Sequence, residues 1–106
     1  MTPIDLRNET FDSLASRVTG DRAKVLHGMR CHYGLRFTRQ GWAVRLGMDY
    51  LSIAPRITEL FQLGFVALDG ADGRKGLYRV LYDYEARAAI ERAIAETRNH
   101  QLPLAL

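Results

Sequence analysis

A mainly α domain with one small β-hairpin, and with extra helices at its N- and C-terminal ends, is the fold class that these 106 residues predict. Three observations lead there. Residues 38–63 read as two short helices on either side of a tight turn. Two apolar, strand-like runs flank a loop, Asp69–Gly76, that holds three glycines and two aspartates. Amphipathic helical stripes precede and follow this centre.

Residues 1–9 contain Pro3 and no clear period, which predicts a loosely held tail. Phe11, Leu14, Ala15 and Val18 follow the i, i+3, i+4, i+7 rule, so an accessory helix is expected over 10–18. Thr19-Gly20 breaks it, and Asp21 caps the next helix, from about Arg22 to Tyr33. That helix places Val25, Leu26, Met29 and Tyr33 in one broad stripe, and Gly34 ends it. Leu35-Arg36-Phe37 reads as a very short strand.

Thr38 is suited to cap the third helix, because its hydroxyl can accept from an orphan amide of the first helical turn. Trp42, Ala43 and Leu46 recur at helical spacing, and Gly47 can stop the helix in a left-handed conformation. A turn over Met48–Leu51 leads to Ser52, a second N-cap. Pro55 then falls at the third helical position, where a missing N–H has no intrahelical partner to lose. Ile53, Ile57 and Leu60 make one apolar face, and Leu63-Gly64 closes the helix into Phe65-Val66. Phe65–Leu68 and Leu77–Tyr82 are the expected strands of the hairpin around the glycine-rich loop. From Asp83, which can cap, the period is helical again to near His100. Ala86, Ala89, Ile90, Ala93, Ile94 and Thr97 form its stripe, with Arg87–Glu91 and Arg92–Glu96 paired at i, i+4 outside. A second tail covers 101–106.

Two short helices joined by a tight turn, the second running through Leu60-Phe61-Gln62-Leu63-Gly64-Phe65-Val66, form a helix-turn-helix pattern. Thr38, Trp42, Ala43, Leu46, Gly47, Ser52, Ile53, Arg56, Ile57, Leu60, Gly64, Phe65 and Val66 resemble the signature of winged helix-turn-helix domains. These are the fold of many small bacterial, archaeal and phage transcription regulators. The likeness spans roughly residues 21–82, a winged-helix core inside a single 1–106 domain with the extra terminal helices around it. One departure is Gly41, where the family often has Glu; glycine there weakens the helix by about 1 kcal/mol relative to alanine. In this fold the hairpin is the wing, and the short 35–37 strand often pairs with it.

Composition is that of an ordinary globular protein, 47% apolar and 25% charged. No apolar run approaches the ~20 residues of a membrane span, and the first residues lack a signal peptide's apolar core. A single cysteine, Cys31, allows no internal disulfide, so a cytoplasmic location is expected. The net charge of +3 is unevenly spread: ten bases against five acids between Asp21 and Arg79 give +5 there, leaving −2 on the flanks. Positive charge thus coincides with the motif, as binding to a phosphate backbone requires, although thirteen arginines will also cluster by chance.

The resemblance implies double-stranded DNA as partner, read by the leading turn of the second motif helix. The positions left to face it are Tyr50, Leu51, Ser52, Ala54, Pro55 and Thr58. Tyr50, Ser52 and Thr58 can hydrogen-bond phosphates or base edges, while Leu51, Ala54 and Pro55 can pack on thymine methyls. Tyr50 and Leu51 have an alternative role as covers for the turn, and Arg56 can point sideways. Arg74 and Lys75, in the glycine-rich loop, can reach a minor groove or its phosphates, or simply keep the turn soluble. Thr38, Arg36 and Arg39 sit at the start of the first motif helix, where Arg39 and Arg36 suit phosphate; Arg36 has Asp49 or Glu59 as rival partners.

Enzyme readings find little. His27, His32 and His100 share no metal-ligand spacing with Cys31, no phosphate-binding glycine motif precedes a helix, and no paired carboxylates suggest acid–base work. No catalytic residue, metal or cofactor is implied; Cys31 is expected to be a buried or half-buried structural thiol, with redox sensing as the minor alternative. The terminal helices either build a homodimer that presents two recognition helices one DNA turn apart, or fold back on the monomer's own core. The functional expectation is a sequence-specific DNA-binding transcriptional regulator. Its rivals are a winged-helix protein-interaction module and a DNA-packaging protein without sequence preference.

Overall fold

The computed structural model describes residues 10–101, with side chains as far as residue 97. The tail expected over 1–9, and 102–106 of the second, lie outside the described residues. In order, the elements are α1 (Phe11–Ala15), α2 (Gly20–Arg30), β1 (Arg36–Phe37), α3 (Arg39–Leu46), α4 (Tyr50–Leu63), β2 (Val66–Asp72), β3 (Lys75–Val80) and α5 (Asp83–Gln101).

The first two helices stop earlier than their stripes suggest. Thr10 caps α1 by accepting from the Ser13 amide at 3.1 Å. The Ser16 hydroxyl then donates to the Ser13 carbonyl at 2.6 Å, and such local side-chain bonding competes with helix continuation. The helix ends at Ala15 rather than Val18. In α2 the N-cap is Thr19, not Asp21, which lies in the first turn where its charge suits the positive helix end. The helix closes at Arg30, and residues 31–34 form a turn that ends on Gly34 at φ +91°.

The centre follows its sequence signals closely at α3. The Thr38 hydroxyl accepts from the Gly41 amide at 3.0 Å, and Gly47 caps the far end at φ +65°. The start of α4 is different. Asp49 is the N-cap by position, so Tyr50 and Leu51 belong to the first turn and Ser52 is not a cap. Pro55 is therefore sixth in the helix, where it denies the Leu51 carbonyl its usual N–H partner. The turn between the helices shrinks to Gly47-Met48-Asp49.

The three strands form an antiparallel sheet in the order β1-β3-β2. Arg36 and Phe37 lie opposite Arg79 and Tyr78, which gives the short strand its place against the hairpin. The hairpin is longer than the glycine-rich loop implied. β2 and β3 run on to a two-residue turn, Gly73-Arg74, with Asp72 opposite Lys75. Gly73 has φ +63° and Arg74 a negative φ, the signs of a type II′ turn. The remaining turn chemistry is used by a bulge: three steps from Leu68 to Ala71 oppose two from Tyr78 to Gly76, and Gly70 absorbs the extra residue at φ +92°.

α4 packs against α2, α3 and β2, and its inward side chains Ile53, Ile57, Leu60 and Leu63 are buried with Trp42, Ala43, Val25, Met29, Phe65 and Val80. Trp42 also ties α3 to the sheet, its indole N–H donating to the Tyr78 carbonyl at 2.8 Å. At the C-terminal end, α5 starts with a reach-back cap rather than Asp83: the Glu85 carboxylate accepts from the Tyr82 amide at 2.9 Å. Asp83 instead pairs with Arg30 at 2.8 Å. Arg87 turns to Asp12 and to the Phe11 ring, so the expected pair with Glu91 is not made.

Candidate nucleic-acid interface

An open concavity of about 530 Å³ lies between the leading ends of α3 and α4 and the hairpin. The N-cap Thr38 lines it with Arg39 and Gln40 of α3, Tyr50 of α4, and Arg74, Lys75 and Tyr78 of the hairpin. The inward anchoring of Ile53, Ile57 and Leu60 is what turns the opposite face of α4 outward here. The side chains of Arg74 and Lys75 are exposed and make no ion pair or hydrogen bond with the described residues. Asp72 faces Lys75 across the ladder without an ion pair between them.

Other predicted contact residues are already engaged within the chain. Arg39 donates to the Thr58 hydroxyl at 2.7 Å and lies 5.7 Å from the centre of the Tyr78 ring. Thr58 in turn donates to the Ala54 carbonyl at 3.1 Å, so both sides of its hydroxyl are used. Arg36 bonds the Asp69 carbonyl at 3.1 Å and approaches its carboxylate at 3.6 Å; its partner is Asp69 on the bulge, not Asp49 or Glu59. Arg56 does point sideways. It forms a 3.0 Å ion pair with Glu59, without hydrogen-bond alignment at its Nε, and Glu59 is shared with Arg22 at 3.0 Å. Thr38 is occupied as a cap. Ser52 and Pro55 are exposed, and Tyr50 is half-exposed on the groove wall.

The predicted residues thus fall into three groups. Thr38, Arg39, Tyr50, Arg74 and Lys75 meet at one concavity, Ser52, Pro55 and Thr58 stand on the adjoining helix, and Arg36 and Arg56 are drawn into ion pairs beside it. Gln40 and Tyr78 line the groove without having been singled out from sequence. Gln40 was legible in principle, being the second residue after a well-marked cap. Tyr78 depended on the strand register, which the bulge conceals. Among the described residues no group of three or more His, Cys, Asp or Glu is placed to hold a metal ion. Likewise, no described helix is long and apolar enough to cross a membrane. Cys31 is exposed rather than buried or half-buried as expected, because α2 ends at Arg30 and leaves it at the C-cap, with its sulfur 4.0 Å from His27 Nε2.

No family model matches the sequence, and no curated protein matches it. Solved structures do. A possible transcriptional regulator from Methanosarcina mazei Go1 superposes with a TM-score of 0.56 over 90% of this chain and 82% of its own, at 13% identity. The adhesin competence repressor AdcR of Streptococcus pyogenes gives a TM-score of 0.47 over 85% of this chain and 69% of its own, at 17% identity. At such identities the first likeness speaks to fold alone. Together with the α3–turn–α4 unit and the β2–β3 hairpin beside it, it establishes a mainly helical chain of the winged helix-turn-helix fold.

Proposed function

We propose that this protein binds double-stranded DNA as a transcriptional regulator, with α4 as its recognition helix and the β2–β3 hairpin as its wing. The observation that carries the reading is the pair of uncommitted cations, Arg74 and Lys75, on the same concavity as Tyr50 and the start of α3. Thr38, Arg39 and Tyr50 border the path of the phosphate backbone, Ser52 and Pro55 meet the major groove, and Thr58 acts through Arg39. Arg36 and Arg56 contribute their field rather than direct contacts, because each is already ion-paired. Sequence-specific binding by a homodimer and a cytoplasmic location complete the proposal. The fold supports it, since a protein described as a possible transcriptional regulator shares that fold.

Fluorescence anisotropy on labelled duplex DNA tests it directly. Wild type is expected to bind, with affinity falling as salt rises, because each neutralised phosphate releases a counterion. Arg74→Ala with Lys75→Ala is expected to lower the slope of log affinity against log salt by about 2, at ~0.9 for each phosphate no longer neutralised. Failure to bind any duplex at low salt would overturn the reading. It would favour the second one, a protein-interaction module, whose supporting observation is the exposure of Val44 and Leu51 beside the turn.

A further inference from the structure

We infer that the leading turns of α4 read 5-methylpyrimidines, which in unmodified DNA means thymine, through Leu51 and Pro55. The inference rests on the DNA-binding reading above and adds what that surface recognises. Leu51 is 79% exposed, and Pro55, one turn further on, is exposed on the same side, opposite Ile53, Ile57 and Leu60. One exposed leucine is ordinary. Its neighbours make this one informative.

Strong base discrimination usually comes from paired hydrogen bonds, arginine or lysine on guanine and asparagine or glutamine on adenine. The arginines near this face are turned elsewhere: Arg56 points sideways onto Glu59 in an ion pair without hydrogen-bond alignment, and Arg39 donates to Thr58 beside the Tyr78 ring. Thr58 has used both its donor and an acceptor site. Gln62, the amide on the same side of α4, stands two turns beyond Pro55, about 10 Å along the axis. The first two turns therefore offer single hydroxyls, from Tyr50 and Ser52, and hydrocarbon. In the major groove the feature that hydrocarbon can recognise is the C5 methyl group. Arg74 and Lys75 hold the backbone and supply affinity that carries no base information.

The test separates methyl recognition from DNA binding as such. A random-core duplex pool is enriched on wild-type protein, and the enriched duplexes are remade with deoxyuridine in place of thymidine, which deletes the methyls and keeps the charge and pairing. Anisotropy titrations at two salt concentrations then compare wild type, Leu51→Ala, and Arg74→Ala with Lys75→Ala. Wild type is expected to lose about fourfold in affinity for each contacted methyl, the worth of one buried methyl group, with its salt slope unchanged. Leu51→Ala, which should melt like wild type because the side chain is exposed, is expected to lose that sensitivity. The double hairpin variant is expected to keep the thymine-to-uracil ratio while its salt slope falls. Salt-dependent binding with equal affinity for both duplexes overturns the methyl inference and leaves DNA binding standing, as does a full uracil penalty retained by Leu51→Ala. Absence of salt-dependent binding to every duplex overturns the DNA reading beneath it and points to a protein partner.

Discussion

Glu85 joins three parts of the chain through one carboxylate. It accepts from the Tyr33 hydroxyl at 2.6 Å and from the Tyr82 amide at 2.9 Å, and approaches Arg79 at 3.8 Å. These contacts, the Tyr33 hydrogen bond foremost and the Tyr82 amide next, hold its carboxyl below the usual glutamate range. The same hydrogen bond pushes the Tyr33 phenol up to about 12. For Glu85 the charged form is the one the fold favours. Its contribution is complete above the ordinary glutamate value of about 4.3 and is lost as pH falls through the lowered folded value. For Tyr33 the neutral form is favoured, so its share is complete below about 10 and fades as pH rises towards about 12. Urea unfolding at pH 7 and near pH 3 checks the acid limb. Wild type is expected to lose more stability between the two than Glu85→Gln, which should be the weaker protein at pH 7; parallel losses would remove Glu85 from the linkage. Little of this was legible in sequence. Tyr33 reads there as a stripe residue, and its partner lies 52 positions away.

Elements were more legible than their ends. Thr38 and Gly47 bracket α3 in sequence and in structure, because a cap hydroxyl and a left-handed glycine act within one turn of themselves. Ser52 reads as the N-cap from sequence, yet the chain begins to coil two residues before it, after Asp49, which makes no side-chain cap bond. The hairpin shows the same limit. Gly73 suits the first central position of the type II′ turn, but the Gly70 bulge supplies a second set of turn residues and makes one long loop of what is mostly strand. The two accounts of α4 differ in a measurable way. A proline at the third helical position is nearly neutral, whereas one at the sixth removes a bond and crowds the preceding turn, costing about 3 kcal/mol relative to alanine. Pro55→Ala is therefore expected to raise the unfolding free energy by about 1–3 kcal/mol, part of the gain being offset by a freer unfolded chain. Urea titration decides it, and an unchanged midpoint would restore the later helix start.

At the scale of the whole molecule, the terminal helices divide their roles in a way that their stripes alone do not show. α1 belongs to its own chain: Leu14 is fully buried, Phe11 packs on Phe65 at 5.6 Å between ring centres, and Asp12 reaches Arg87 at 3.6 Å. That apolar face is already covered, so α1 has no second surface of this kind to give to a dimer. α5 is different. Ala86 and Ile90 are buried against the core, and Ile90 presses so closely on Gly64 that a Cβ there would lie 2.7 Å from its Cγ1. Further along the same stripe Ile94, half-buried, still packs on the edge of the core, and Ala93 and Thr97 are half-buried as well. Beyond Ile94 the helix runs on past its own core, where propensity alone adds little, since most helical stability in proteins comes from a packed face. A second copy laid against the half-exposed side of Ala93 and Ile94 would extend that face, as the proposed homodimer requires. Sedimentation velocity over a concentration series is expected to give a dimer for wild type. Ile94→Gln, which keeps helix propensity but removes the apolar contact, is expected to shift it to monomer with its far-ultraviolet circular dichroism unchanged. Such a monomer should still bind a single half-site with reduced affinity. A monomeric wild type at all concentrations would discard the dimer and leave one recognition helix per bound protein.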